Sequence, residues 1–193
     1  CSSDLITMGQ VGNVVTKGLL DKREYYYRAV YIDCIRALDF AERCPEIDKT
    51  KLIVRGTSQG GALAMAVSSL DLRPALAIAN VPSNSNIEKR VIGHYGSFGA
   101  VSDYLKRYPY EAERVFHTLS YFDIMNMAEA VRCPVFASVA LEDEVCPAAC
   151  YYAAYNRISG EKEMVVYPFN GHDGARELHM EREMEYVKRK GLL

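Results

Sequence analysis

The chain predicts an α/β fold: a mostly parallel sheet with helices on both faces. Three observations carry this. Short apolar runs recur along the 193 residues without polar interruption, as strands buried on both faces require. Between them lie segments whose apolar residues are spaced three and four apart, which is helical periodicity. Turns bearing Gly or Pro separate the two kinds, and regular alternation of strand and helix builds parallel sheets. With 49% hydrophobic residues, residues 1–193 read as a single domain with room for one sizeable core.

The elements follow in order. A polar, Gly-containing lead at residues 8–13 precedes Asp21-Lys22-Arg23-Glu24, which has the form of a capping box. Tyr27, Val30, Tyr31, Cys34, Ile35, Leu38 and Ala41 then mark a helix that Pro45 closes. A strand is predicted at 52–54, a Gly-rich turn after it, and a helix over 60–70. The apolar run 75–79 is a second strand, ended by Pro82. Residues 83–120 break the pattern with polar stretches and Gly93, Gly96 and Gly99; they are predicted to be an insertion with short helices. The alternation resumes with a helix near 124–131, a strand at 134–139, a helix near 148–158, a strand at 164–167 and a charged helix near 175–190. There is no internal repeat and no low-complexity segment.

Composition narrows the functional classes. Lys plus Arg number 23 against 25 Asp plus Glu, so no basic excess drives phosphate binding, and no nucleic-acid partner is expected. No apolar stretch reaches the ~18 residues of a membrane span, so no membrane partner is expected. The six cysteines (Cys1, Cys34, Cys44, Cys133, Cys146, Cys150) form no paired zinc-ribbon spacing and read as reduced intracellular thiols. Cys146 and Cys150 could face each other on a helix, but two ligands do not make a metal site. The chain opens Cys1-Ser2-Ser3-Asp4 with neither an initiator Met nor a signal-peptide core, and so reads as part of something longer.

Chemistry concentrates after the first strand. Gly56-Thr57-Ser58-Gln59-Gly60 is a G-x-S-x-G pattern followed by Gly61, with an apolar strand before it and an Ala-rich helix after. That context suits a strained turn lifting a serine hydroxyl above a sheet, with glycines where a Cβ would clash. The plainer alternative is a tightly packed strand–helix turn or a phosphate nest. A serine nucleophile needs a base, and the base a carboxylate. Of four histidines, His172 sits in Asn170-Gly171-His172-Asp173-Gly174 just past the last strand. His94 and His117 lie in the insertion, and His179 reads as a solvated residue of the charged helix. Glu142, Asp143 and Glu144 follow the 134–139 strand, at the sheet's carboxyl end; spacing does not choose between Glu142 and Asp143. Arg55 reads as a strand-end charge. Tyr25, Tyr26, Tyr27 and Tyr31 could stack on a sugar or a base, but their helical spacing reads as core and interface.

These residues resemble the acetyl xylan esterase / cephalosporin C deacetylase family of α/β-hydrolases. The resemblance runs from about Thr16 to the C-terminus. It is carried by Thr16-Lys17-Gly18-Leu19-Leu20-Asp21 with Tyr25-Tyr26-Tyr27-Arg28, by Ser58-Gln59-Gly60-Gly61, and by Thr118-Leu119-Ser120-Tyr121-Phe122-Asp123. Ala153-Ala154-Tyr155-Asn156 and Tyr167-Pro168-Phe169 with Gly171-His172 add to it. It implies Ser58 as nucleophile, His172 as general base and Asp143, rather than Glu142, as the acid. The Gln59 amide matches one oxyanion donor, and Gly56, Gly60 and Gly61 belong to the nucleophile elbow. The resemblance further implies an α/β-hydrolase fold and removal of acetyl groups from short acetylated oligosaccharides and small esters such as cephalosporin C. No metal and no cofactor, a cytoplasmic location and a homo-hexamer whose insertion shapes the entrance follow from it as well.

The sequence departs from the family at several places. Asp173 stands where Glu is usual after the histidine. Asn80-Val81-Pro82-Ser83 stands for Asp-Val-Pro and an aromatic, and Pro147-Ala148-Ala149 for two prolines and a serine. The family's upstream sheet strands, its Arg-Gly-Gln motif and the tyrosine whose amide is the second oxyanion donor are missing; Met8-Gly9-Gln10 is not that motif. Two rivals are therefore weighed. A non-catalytic or incomplete hydrolase homologue would bind ligand or oligomerise without turnover. A related peptidase or thioesterase would share the elbow, but the string at 118–123 argues against it.

Overall fold

The computed structural model describes residues 13–193, so the expected polar lead at 8–12, with Met8-Gly9-Gln10, and Cys1 lie outside the described residues. Four parallel strands form one sheet in the order β1 (Ile53–Thr57), β2 (Leu76–Asn80), β3 (Val135–Ala140) and β4 (Lys162–Tyr167). The helices are α1 (Tyr26–Arg43), α2 (Gln59–Leu70), α3 (Ile87–Ile92), α4 (Gly99–Arg107), α5 (Ala112–Ser120), α6 (Ile124–Met127), α7 (Ala148–Tyr155) and α8 (Arg176–Arg189). The predicted α/β architecture is present, and the short helices α3, α4 and α5 lie between β2 and α6.

Alternation along each strand sorts the apolar side chains to two faces. Ala77, Ala79, Val135, Ala137 and Val139 face a large core shared with Ala62, Met65 and Ala66 of α2 and Tyr27 and Tyr31 of α1. Leu76, Ile78 and Phe136 face the other way, against Tyr186 and Val187 of α8. The small residues on the α2 side let the helix approach closely: a Cβ on Gly61 would stand 3.0 Å from the Asn80 carbonyl oxygen. Tyr25, Tyr27 and Tyr31 are buried, as the helical spacing predicts, and the Tyr31 hydroxyl donates to the Phe122 carbonyl at 2.8 Å.

Three local expectations change. The capping box does not form. The Asp21 carboxylate is taken by the Arg23 amide at 2.9 Å and by the Arg23 guanidinium, so the chain turns there and α1 begins later, after Tyr25. The helix expected near 124–131 is only α6 followed by a 3₁₀ turn at Ala128–Ala130. Finally, β1 runs through Arg55-Gly56-Thr57 before the turn, because that stretch pairs with β2 as far as Thr57 opposite Asn80.

Asp123 ties the insertion down. Its buried carboxylate accepts from the amides of Asn86 and Ile87 at 2.9 and 2.6 Å, and from Met125 at 2.9 Å. One side chain thus joins the start of the insertion to its end. The sheet register brings the carboxyl ends of the strands together, with Thr57 beside Asn80 and Ala140 beside Tyr167. The loops after β1, β3 and β4 consequently emerge on one edge of the sheet.

Candidate active site

Ser58 occupies the sharp turn between β1 and α2, with φ 57° and ψ −117°. A side-chain-bearing residue rarely adopts this backbone, and it costs of order 1–3 kcal/mol. Backbone bonds on both sides hold it: the Ser58 amide donates to the Asn80 carbonyl at 2.8 Å, and the Ser83 amide donates to the Ser58 carbonyl at 3.0 Å. The glycines differ in what they do. A Cβ on Gly56 would overlap the Gly60 carbonyl group, whereas one on Gly60 would meet no described atom within 4 Å. The clash argument therefore holds for Gly56 and Gly61 but not for Gly60. The Gln59 amide lies at the first position of α2, where no intrahelical acceptor exists; its side chain donates to the Tyr27 hydroxyl at 3.1 Å.

Burial separates the three carboxylates after β3. Asp143 is buried while Glu142 and Glu144 are exposed. Asp143 Oδ1 accepts from the amides of Val145 and Cys146 at 2.8 and 2.7 Å, and Oδ2 lies 2.9 Å from His172 Nδ1. A carboxylate only accepts, so Nδ1 carries a proton, and in the neutral ring the lone pair is on Nε2. The loop bearing His172 is held to the acid loop by the Glu142 amide, which donates to the Asn170 carbonyl at 3.1 Å. Asp173, the departure beside the histidine, accepts from Asn170 Nδ2 at 3.0 Å and from the amides of Gly171 and Ala175 at 3.1 and 3.2 Å. It folds the loop on itself, a task the shorter acid performs without leaving the loop.

Ser58, Asp143 and His172 thus come from three loops to one edge, but no hydrogen bond joins Ser58 to His172. The Ser58 hydroxyl instead lies 3.9 Å from the Cys146 thiol. A cavity of about 310 Å³ opens there, lined by Ser58, Gln59, Tyr27, Ser83, Arg90 and Cys146. Ser83 and Arg90 belong to the insertion. The buried Arg90 guanidinium donates through Nη2 to the Val145 carbonyl at 2.9 Å, bracing the acid loop, while Nε and Nη1 have no partner among the described residues. Burial pushes the Cys146 thiol up, against the pull of Arg90. Cys146 precedes α7 instead of sharing a helix face with Cys150.

A second cluster was not legible as such. His179, expected to be solvated, is 2% exposed, and Glu183 is 3% exposed. Arg55, expected to be a strand-end charge, donates to Glu183 through Nε at 2.5 Å and through Nη2 at 3.2 Å. Asn80 Nδ2 also donates to Glu183, and Asn80 Oδ1 lies 2.8 Å from His179 Nε2. His179 Nδ1 is 3.0 Å from the Tyr167 hydroxyl. Burial lowers the His179 pKa from its ordinary value of 6.5. The only signal was the i, i+4 spacing of His179 and Glu183, which charged surface helices share. Asn80 lines a separate cavity of about 310 Å³ with Arg55, His172 and Glu183, on the α8 side, and takes no part in lining the one beside Ser58.

The acetyl xylan esterase (AXE1) family profile matches residues 3–190. The acetyl esterase Axe7A of Xylanibacter ruminicola is 34% identical over 162 residues, covering 82% of this chain and 35% of that protein. The structure of the acetyl xylan esterase from Paenibacillus sp. R4 aligns with a TM-score of 0.87 at 39% identity, over 91% of this chain and 56% of that one. Acetyl xylan esterase 1 from Thermoanaerobacterium sp. JW/SL YS485 aligns with a TM-score of 0.84 at 28% identity, over 93% and 58%. The chain spans little more than half the length of these solved structures and about a third of Axe7A. With an α/β-hydrolase fold, a serine at the strand–helix turn and a family profile that matches residues 3–190 of the chain, the chain belongs to the acetyl xylan esterase family.

Proposed function

We propose that this chain carries the catalytic residues of a serine esterase that removes acetyl groups from acetylated xylo-oligosaccharides and small acetyl esters, cephalosporin C among them. The observation that supports it most directly is the 2.9 Å pair between His172 Nδ1 and the buried Asp143 carboxylate, on the same sheet edge as the strained Ser58. His172 Nε2 takes the Ser58 proton as Oγ attacks the acetyl carbonyl, and Asp143 steadies the imidazolium without accepting the proton. The Gln59 amide donates to the oxyanion. The alcohol leaves with the proton from His172, giving acetyl-Ser58. Water, deprotonated by His172, then releases acetate. A cytoplasmic, homo-oligomeric protein is part of the same proposal, by family resemblance.

A second reading has its own observation: Ser58 rests beside Cys146 and makes no hydrogen bond to His172. Such links often close only when substrate binds, but the same geometry suits an incomplete hydrolase. The deciding experiment is acetate release from an acetylated xylo-oligosaccharide by this chain and by its Ser58→Ala variant, with the intact mass checked first. Release that disappears in the variant is expected. A folded chain of the right mass that releases none would favour the non-catalytic reading.

A further inference from the structure

Cys146 has no part in the proposed reaction, yet it is 4% exposed and stands 3.9 Å from the Ser58 hydroxyl. One thiol, one imidazole and one carboxylate meet here: ligand atoms of Cys146, His172 and Asp143 all lie within 4.8 Å of one another. We infer that these three residues form a site for a soft divalent cation of the zinc class, and that a bound cation switches the hydrolase off.

The donor set favours such an ion. Thiolate and imidazole are the ligands that zinc and its neighbours prefer, while magnesium and calcium select oxygen. Zinc bonds of ~2.0–2.3 Å in tetrahedral array leave the donor atoms roughly 3.3–3.8 Å apart. The His172–Asp143 pair is already closer than that, at 2.9 Å, so closure asks mainly for a movement of about 1 Å by the Cys146 sulfur or the His172 ring. The Ser58 hydroxyl, 3.9 Å from the Cys146 sulfur, or a water is the candidate fourth ligand. On binding, the thiol proton passes to solvent and the thiolate ligates the ion. Arg90, braced on Val145, lies beside this loop; its repulsion must be outweighed by bonds to sulfur and nitrogen, which a hard ion forms poorly.

Inhibition follows from which imidazole nitrogen is used. An ion on Nδ1 moves that nitrogen's proton to Nε2, so the ring has no lone pair left for the Ser58 proton, and it breaks the bond that orients the ring on Asp143. The inhibitory consequence rests on the esterase reading; the binding itself does not.

Cobalt(II) separates the two, because its thiolate charge-transfer band reports sulfur ligation without any turnover. The chain, reduced and metal-free, is titrated with Co²⁺ beside Cys146→Ser, Cys146→Ala and Cys150→Ser, with thermal melts to confirm that each is folded. A thiolate–cobalt band is expected in the parent chain and in Cys150→Ser, and its loss in both Cys146 variants. Its absence from the folded parent chain, or its persistence without Cys146, overturns the site. In the activity arm, Zn²⁺ inhibits the parent chain, Mg²⁺ does not, and the Zn²⁺ midpoint rises by about tenfold or more in Cys146→Ser relative to that variant's own metal-free rate. Equal sensitivity with and without Cys146 overturns the switch. If the chain hydrolyses nothing, the esterase reading fails while the cobalt spectrum still decides the site.

Discussion

The Asn80 side-chain oxygen accepts from His179 Nε2 at 2.8 Å, joining the end of β2 to α8 across the buried side of the site. The partners fix every role. Asn80 gives its amide protons to Glu183, so its oxygen must face the imidazole N–H. Tyr167 then donates to Nδ1, and His179 is neutral. The same Asn80 accepts the Ser58 amide on its main-chain carbonyl at 2.8 Å. A residue of the sheet thus holds the elbow with its backbone and the last helix with its side chain.

Asn80→Ala is therefore expected to destabilise the chain by about 1–3 kcal/mol, because it leaves the buried His179 N–H without its acceptor and removes one of the donors to Glu183, which keeps Arg55. The urea midpoint measures this. Since Asn80 does not line the cavity beside Ser58, kcat should fall with KM little changed. A fall in affinity alone would contradict the positioning role.

Acid should weaken the fold through His179. Its folded pKa is held below 6.5 by burial, which the attraction of Glu183 opposes and the repulsion of Arg55 and Arg182 assists. The unfolded chain takes the proton first, so this contribution is complete above about pH 6.5 and is lost as pH falls through the depressed folded value. The slope reaches at most about 1.4 kcal/mol per pH unit. His179→Gln keeps a hydrogen-bonding side chain and should flatten the dependence of the urea midpoint on pH in that window. An unchanged slope would assign the effect to other groups.

Gly56 and Gly60 should respond oppositely. Gly56→Ala drives a methyl into the Gly60 carbonyl and is expected to cost about 3 kcal/mol or more. Gly60→Ala meets open space and should be neutral or stabilising by about 0.5 kcal/mol, through reduced freedom of the unfolded chain. Thermal melts of the pair test this directly, and similar losses in both would count against the crossing geometry.

Asp143→Asn keeps an oxygen for the amides of Val145 and Cys146 but presents an N–H or a weaker acceptor to His172. A loss of kcat on the order of 10⁴-fold is expected if the carboxylate sets the imidazole tautomer. The melting temperature should move little. Retention of most of the rate would remove Asp143 from the mechanism.

Much of this was legible in the sequence, for identifiable reasons. Strands buried on both faces are apolar throughout, so β2 and β3 stood out; the end of β1 did not, because Arg55-Gly56-Thr57 contains no apolar side chain. Ser58 and His172 announced themselves by their glycine neighbours at strand ends. Asp143 needed the family resemblance, since Glu142, Asp143 and Glu144 differ in burial but not in spacing. The cluster on α8 was hidden for a different reason. Glu177, Glu181, Glu183 and Glu185 make the helix look solvated, and only the folded position of Arg55 and Asn80 shows that Glu183 has partners inside. The false capping box has a similar cause: Arg23 was a closer partner for Asp21 than the helix amides were.

The proposed nucleophile is borne by β1, which pairs with β2 on one side and has no described strand on the other. Its residues are half-buried or exposed where those of β2 and β3 are buried throughout. Peripheral strands exchange amide hydrogen through small openings that leave the rest of the fold intact. The β1 amides of the isolated chain should therefore exchange well before those of β2, and mild denaturant should erode hydrolysis long before the spectroscopic unfolding transition. How long Ser58 stays in place is then governed by a local opening at the margin of the sheet, and not by the stability of the whole domain.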